Sequence, residues 1–388
     1  MQALNDIELL SRLVSFDTTS ATGQPTRPLG DFVCDYLDLP GVRIERFDCG
    51  DGQENIHIAV GPECADGEGL MLCGHVDCVP AEEPEWTGDP FTLRCEDDRL
   101  IGRGACDMKG FDALAINVLR ARALANDLKE PLVLLLTCNE EIGTVGAGRF
   151  VQQWGDRPIP RRTVVGEPTS LRPIRAHKGH LGMNFAVGGR GGHTGFPDSG
   201  VNAIELSIPL LQGIRSLRAE LAGERTEWSD LFPSAPAPVL TVAMINGGSA
   251  INVIPESCVL RVGLRLLPGQ SSSDFIPRLL DAVPGVKLAD GDRLDEVPEG
   301  EIWVAILNDT PSFGIEAGSP FLAEINALVE GAQQIGANYG TDAGRIARLG
   351  CTSVVFGPGD IMVAHKPDEW MPRAEFERTP ALLESLIR

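Results

Sequence analysis

The sequence predicts an α/β fold: a mixed, largely parallel sheet covered by helices and interrupted by an inserted α+β domain. Three observations carry this prediction. Leu132–Thr137 reads LVLLLT, an unbroken apolar run of the kind found in strands covered on both faces. Helical patterns alternate with short apolar runs through roughly the first 170 residues. Apolar runs of the same kind return near the C-terminus, after a stretch of different character.

The elements follow in order. Leu4, Ile7, Leu10 and Val14 recur at helical spacing, so the chain is expected to open on a helix and not on a secretion signal. Residues 70–73 (LMLC) form a short strand ending at Gly74. Phe111, Leu114, Ala115, Val118 and Leu119 line one face of a helix after Gly110. Leu132–Thr137 and residues 163–165 are further strands. The character changes near Arg172-Pro173. From Ile174 to about Pro284 the pattern reads strand, helix, strand, strand, helix. These elements fall at 183–187, Ala203–Leu221, 239–245, 258–266 and 275–282. Residues 285–319 are rich in Gly, Pro and acid and read as linker plus an edge strand. Residues 321–335 read as helix, 351–356 as strand and 376–387 as a closing helix. The expected division is 1–173 with 313–388 for one domain and 174–312 for the insert.

Composition narrows the function. Of 388 residues, 43% are hydrophobic and 23% charged, an ordinary globular balance. The formal net charge of -22 argues against nucleic acid and anionic membranes as partners. It would suit a cationic substrate, although a solvated acidic surface is the commoner cause. Ten cysteines form no CxxC pair and read as reduced thiols, so a cytoplasmic location is expected. No apolar run approaches the ~18 residues needed to span a membrane.

Four predicted strands end in acid or histidine. The first leads into His75 and Asp77, the second into Glu140 and Glu141, the third into Glu167, and the last into Gly357-Pro358-Gly359-Asp360 and then His365. A further acid, Asp107, stands just before a predicted helix. Open α/β sheets bind ligands beyond the carboxyl ends of their strands. Histidine with carboxylates suits zinc, and a carboxylate can bridge two ions. Two metals polarise a carbonyl and activate water, while a spare carboxylate serves as general base. Each piece has an ordinary alternative: a turn histidine, a solvated acidic turn, a common GEP loop, a helix cap at Asp107. It is their joint placement at one end of the strands that points to a metal site.

GHVDCVP, GRGACDMKG, CNEEIGTVGA, VVGEPT and PGDIMVAHKPDEW resemble the motifs of the co-catalytic zinc aminoacylase and carboxypeptidase family. The resemblance covers nearly the whole chain. LVSFDTTS, WTGDPF, VVGEPTSLRPIRAHKG and YGTDAG most resemble the branch that deacetylates N-acetylornithine in arginine biosynthesis. It implies a zinc-exopeptidase-like catalytic domain with an inserted lid and dimerisation domain, hence a homodimer. It implies two zinc ions, with cobalt or manganese as possible substitutes. His75, Asp107 and Glu167 would hold one ion, and Asp107, Glu141 and His365 the other. Asp77 would orient His75, Glu140 would be the general base, and the Asp107–Met108 peptide would be cis.

In the insert, GGRGGHTGFPDSGVNAI resembles the segment whose histidine, here His193, stabilises the oxyanion, often across the subunit interface. NGGSAINVIP and LRLLPG resemble two lid motifs, in which Asn252 and Arg265 would meet the substrate carboxylate. Gly340–Ala343, GTDA, is expected either to be a substrate-contacting loop through Thr341 or to cap a helix with Thr341 or Asp342. The expected reaction is hydrolysis of the amide of an N-acyl amino acid. Other acyl amino acids, such as succinyl-diaminopimelate or acetylcitrulline, and dipeptides are the alternative substrates. A non-catalytic binding protein would be expected to have lost a ligand or the base, and none is missing here.

Overall fold

The computed structural model describes residues 1–388 except 83, 292, 293, 295, 296 and 332–334. The chain forms two compact units. The first comprises Met1–Arg175, Ile315–Ile335 and Thr341–Arg388, and the second Ala176–Gly314 and Gly336–Gly340.

In the first unit the sheet runs in the order Arg43–Gly50, Gln53–Val60, Leu132–Thr137, Leu70–His75, Arg162–Val165, Thr352–Val355. The last four are mutually parallel, and the two preceding strands form an antiparallel hairpin at the edge. Leu70–His75 and Leu132–Thr137 are buried along their whole length, as their apolar runs require. Lys109–Ala125 crosses this sheet and buries Phe111, Leu114, Ala115, Val118 and Leu119. Asp6–Val14 packs against the same helix and buries Leu9, Leu10, Leu13 and Val14. Its N-terminus carries a reciprocal capping box between Asn5 and Glu8. Arg373–Glu384 closes the chain.

The second unit is a five-stranded sheet in the order Val239–Gly247, Ser257–Leu266, Gly179–Gly188, Ile302–Thr310, Val286–Leu288. Helices Ala203–Leu221 and Ser272–Ala282 pack together, and their apolar faces share one core with the sheet.

The structure departs from the sequence reading in three places. The hairpin Arg43–Gly50 and Gln53–Val60 is invisible as a strand pattern, because its outer strand is mostly exposed and its inner strand carries buried Gln53, Glu54 and Asn55. Within 285–319 the expected edge strand is present as Val286–Leu288, but Ile302–Thr310 is a further full strand lying between two others. A register shift between Ile306 and Asn308 breaks the alternation that would have marked it. The helix expected over 321–335 stops at Asn326, and Ile335 already begins a strand, Ile335–Ala337. The part of that expectation at 332–334 lies outside the described residues. No described helix is long and apolar enough to cross a membrane.

Candidate metal centre

Strand register builds the centre. His75 pairs with Thr137 at the carboxyl ends of their strands, and Cys73 pairs with Val165. Two residues beyond that last pair, on each strand, stand His75 and Glu167. The turn after Leu132–Thr137 carries Glu140 and Glu141, and Asp107 lies just before helix Lys109–Ala125. The Asp107–Met108 peptide is cis.

The side chains converge. His75 Nε2 lies 3.1 Å from Asp107 Oδ1, and His365 Nε2 lies 3.1 Å from Asp107 Oδ2. His365 Nε2 is also 3.1 Å from the Glu141 carboxylate. Asp107 thus stands between two imidazoles. Two overlapping groups have ligand atoms within 4.8 Å of one another: His75, Asp107 and Glu141, and His75, Glu140 and Glu167. Glu140 therefore sits among the donors as well as beside them.

Electrostatics make this an uncomfortable site without a cation. Burial, then the charge of Glu167, pushes the Glu140 carboxyl well above its ordinary range. Burial and Asp107 do the same to Glu167. Burial and Asp107 raise Glu141 to about 7, against the hydrogen bond from His365. Burial alone would raise Asp107 too, but hydrogen bonds from His365 and His75 hold it below the usual range. Hydrogen bonds to Asp107 and Glu141 lift His365 to about 10. In His75 burial opposes the charged form, and the Asp107 hydrogen bond outweighs it, leaving the imidazole well above its ordinary value. So many buried carboxylates cannot all ionise beside one another unless a strong positive charge joins them. A divalent cation would supply that charge, and imidazole nitrogens with carboxylate oxygens are a fitting donor set for zinc.

Residues 71–388 match peptidase family M20/M25/M40. The chain belongs to this family. An acetylornithine deacetylase of Proteus mirabilis (strain HI4320) is 36% identical over 386 residues, covering 98% of this chain and 95% of that relative. The M20 metallo-carboxypeptidase Sso-CP2 of Sulfolobus solfataricus shares the fold, with a TM-score of 0.79 at 16% identity over 99% of this chain and 98% of its own. A Bacillus subtilis protein described as a dinuclear metal binding peptidase of the M20 family matches with a TM-score of 0.59 at 14% identity, over 97% of each chain.

In this M20 chain the centre is supported by Asp77, as expected for His75 but in a different way, and by Arg103 and Glu369, to which the sequence assigned no role. His75 Nδ1 stands 3.0 Å from the main-chain oxygen of Asp77, while the Asp77 carboxylate lies 3.7 Å away. That carboxylate instead accepts the backbone N–H groups of Glu140 at 3.0 Å and Glu141 at 3.2 Å. Asp77 therefore orients the histidine through its backbone and the two glutamates through its side chain. Glu369 accepts the N–H groups of Cys106 at 2.9 Å and Asp107 at 3.0 Å, and pairs with buried Arg103 at 2.7 Å. Arg103 and Glu369 lie within the GRG and PDEW motifs, but nothing in either motif reveals that they meet.

GTDA forms the start of a short helix. Thr341 is fully buried, and its hydroxyl accepts the N–H of Ala343 at 3.1 Å. Asp342 makes no side-chain cap. Its carboxylate accepts the Thr137 hydroxyl at 2.6 Å, and burial lifts it to about 6.

The three remaining predicted residues belong to the second unit. His193 is exposed in Gly192–His193, which pairs with Val253–Ile254, and its Nδ1 accepts the N–H of Gly195 at 3.0 Å. Asn252 is close by, its carbonyl accepting the Thr194 N–H at 3.2 Å. Arg265 is elsewhere in that unit, in Ser257–Leu266 opposite His180 and Val239.

Proposed function

We propose that this chain hydrolyses the amide bond of an N-acyl-L-amino acid, first of all N-acetyl-L-ornithine to L-ornithine and acetate. One observation carries the substrate: the match along 98% of the chain to a relative named acetylornithine deacetylase. The donor cluster supports the chemistry, because His75, Asp107, Glu141, Glu140 and Glu167 supply ligand atoms close enough to hold metal.

His75, Asp107 and Glu167 would hold one ion, and Asp107, Glu141 and His365 a second, with Asp107 as the bridge. Two zinc ions held there would supply Lewis acidity toward the amide carbonyl and toward water. Glu140 takes a proton from the attacking water. Burial raises its affinity for protons, which suits it to accept one from water. The water oxygen adds to the amide carbon, and Glu140 passes the proton to the amine nitrogen as the carbon–nitrogen bond breaks. His193 donates to the oxyanion, from its own chain or across a subunit interface. Asn252 and Arg265 meet the substrate carboxylate, and Thr341 shapes the substrate loop. The second unit serves as lid and dimerisation surface, and the enzyme works in the cytoplasm.

The decisive experiment measures amine release across N-acetyl-ornithine, N-acetyl-citrulline, succinyl-diaminopimelate and dipeptides with zinc, cobalt or manganese supplied. The highest kcat/KM is expected for N-acetyl-ornithine. Cleavage of a dipeptide at higher kcat/KM would overturn the substrate assignment, and activity retained in metal-free protein would overturn the metal.

A further inference from the structure

Asn55 is fully buried in Gln53–Val60, the strand next to the one that leads into Glu140 and Glu141. Its side-chain amide spans the base of the glutamate turn. Oδ1 accepts the Cys138 N–H at 3.1 Å, and Nδ2 donates to the Gly146 carbonyl at 2.9 Å. Cys138 is the first residue after strand Leu132–Thr137, and Gly146 lies in the first turn of helix Val145–Trp154. These are the two ends of the segment that carries both glutamates. Nδ2 also reaches Cys49 Sγ at 3.2 Å, which ties the turn to the outer hairpin strand.

Two further features show that this segment is held and does not simply relax into place. Asn139 and Thr144, on either side of the glutamates, have φ of 55° and 57°. Non-glycine residues stay in that region only where their surroundings impose it. The closure is also tight at Gly146. A Cβ there would lie 1.9 Å from the Cys138 carbonyl oxygen and 2.9 Å from Asn55 Oδ1. Only glycine lets the two ends of the turn meet on one amide.

We propose that Asn55 is a positioning residue for Glu140 and Glu141. It clamps both ends of the turn from the neighbouring strand, while Asp77 holds the middle through the Glu140 and Glu141 amides. With the backbone held at three points, the two carboxylates reach the metal cluster without a search over loop conformations. Removing the amide leaves the fold's sheet intact but frees the turn. The inference rests on the hydrolytic reading for its effect on turnover, and not for its effect on metal binding.

The test compares Asn55→Ala, Gly146→Ala and the double variant with wild type in the full chain. Zinc affinity is read by competition with a chromophoric chelator, turnover on N-acetyl-ornithine, and backbone mobility by amide hydrogen exchange over residues 138–146. For folded Asn55→Ala we expect faster exchange confined to that segment and zinc affinity weaker by about 10–100-fold. We expect kcat lower by a similar factor, with KM within about twofold of wild type. Gly146→Ala disturbs the same closure from its other end and should give the same signature, so the double variant should be little worse than either alone. Should Asn55→Ala fail to fold, Gly146→Ala and the milder Asn55→Ser carry the same readouts. Folded variants that hold zinc with wild-type affinity and turn over at wild-type kcat would overturn the proposal, whatever their melting temperatures. If wild type proves inactive on every N-acyl amino acid while the variants still lose zinc affinity, the reaction assignment falls and the positioning role stands.

Discussion

Glu369 accepts the backbone N–H of Asp107 at 3.0 Å across 262 positions of sequence. Its other oxygen holds the buried Arg103 guanidinium at 2.7 Å. One ion pair thus sets the main chain of the residue that stands between His75 and His365. Glu369→Ala would strand a buried charge and two amide donors. The expected loss of stability is about 3–5 kcal/mol, read by denaturant unfolding. Glu369→Gln keeps an acceptor for the amides and should lose less. Equal stability of wild type and Glu369→Ala would show that Arg103 finds another partner.

Glu140→Gln should keep the metal content of wild type and lose kcat by several orders of magnitude. The substitution preserves size and removes only the proton acceptor. Elemental analysis and single-turnover assays check both halves. A variant retaining more than about a tenth of wild-type kcat would remove Glu140 from the base role.

The metal-free protein should lose stability as pH rises. His365 is raised from 6.5 to about 10, so the folded state holds a proton that the unfolded chain releases between those values. That contribution is complete below the lower value and lost as pH climbs through the upper one. Glu141, raised from 4.5 to about 7, acts in the same direction over its own window. Metal binding displaces these protons, so zinc should raise the melting temperature more at higher pH. Thermal scans of chelated and zinc-loaded protein at about pH 5.5, 7 and 8.5 measure the gap. A gap that narrows with pH would contradict this electrostatic account of the site.

His193→Ala should cut kcat by ~10²–10³ without changing metal content, the usual cost of one oxyanion donor. If His193 is supplied across a dimer interface, mixing Glu140→Gln with His193→Ala under subunit exchange should restore about a quarter of wild-type activity, because half the dimers are mixed and each has one intact site. No recovery after verified exchange would confine His193 to its own chain or remove it from the reaction.

What the sequence determines by itself is which chemistry is available and roughly where. The LVLLLT run identifies a buried central strand, because five apolar residues in a row suit a strand covered on both faces. His75, Glu140, Glu141 and Glu167 each follow such a run, so the parallel order of the sheet brings them to one edge. That much is local pattern joined to one rule of topology.

The supports of the site are decided only by tertiary structure. Asn55 meets Cys138 across 83 positions, Thr137 meets Asp342 across 205, and Arg103 meets Glu369 across 266. The Asp77 side chain serves the glutamate amides and leaves the histidine to its own backbone oxygen, a division that the GHVD motif does not record. The strand Ile302–Thr310 escapes sequence reading for a related reason, since its register shift is defined against its partner Gly179–Gly188. A residue's type and its neighbours in sequence specify what it can donate, accept or bury. Which partner satisfies a buried amide or guanidinium depends on packing between distant segments, and that exists only once the sheet has closed around it.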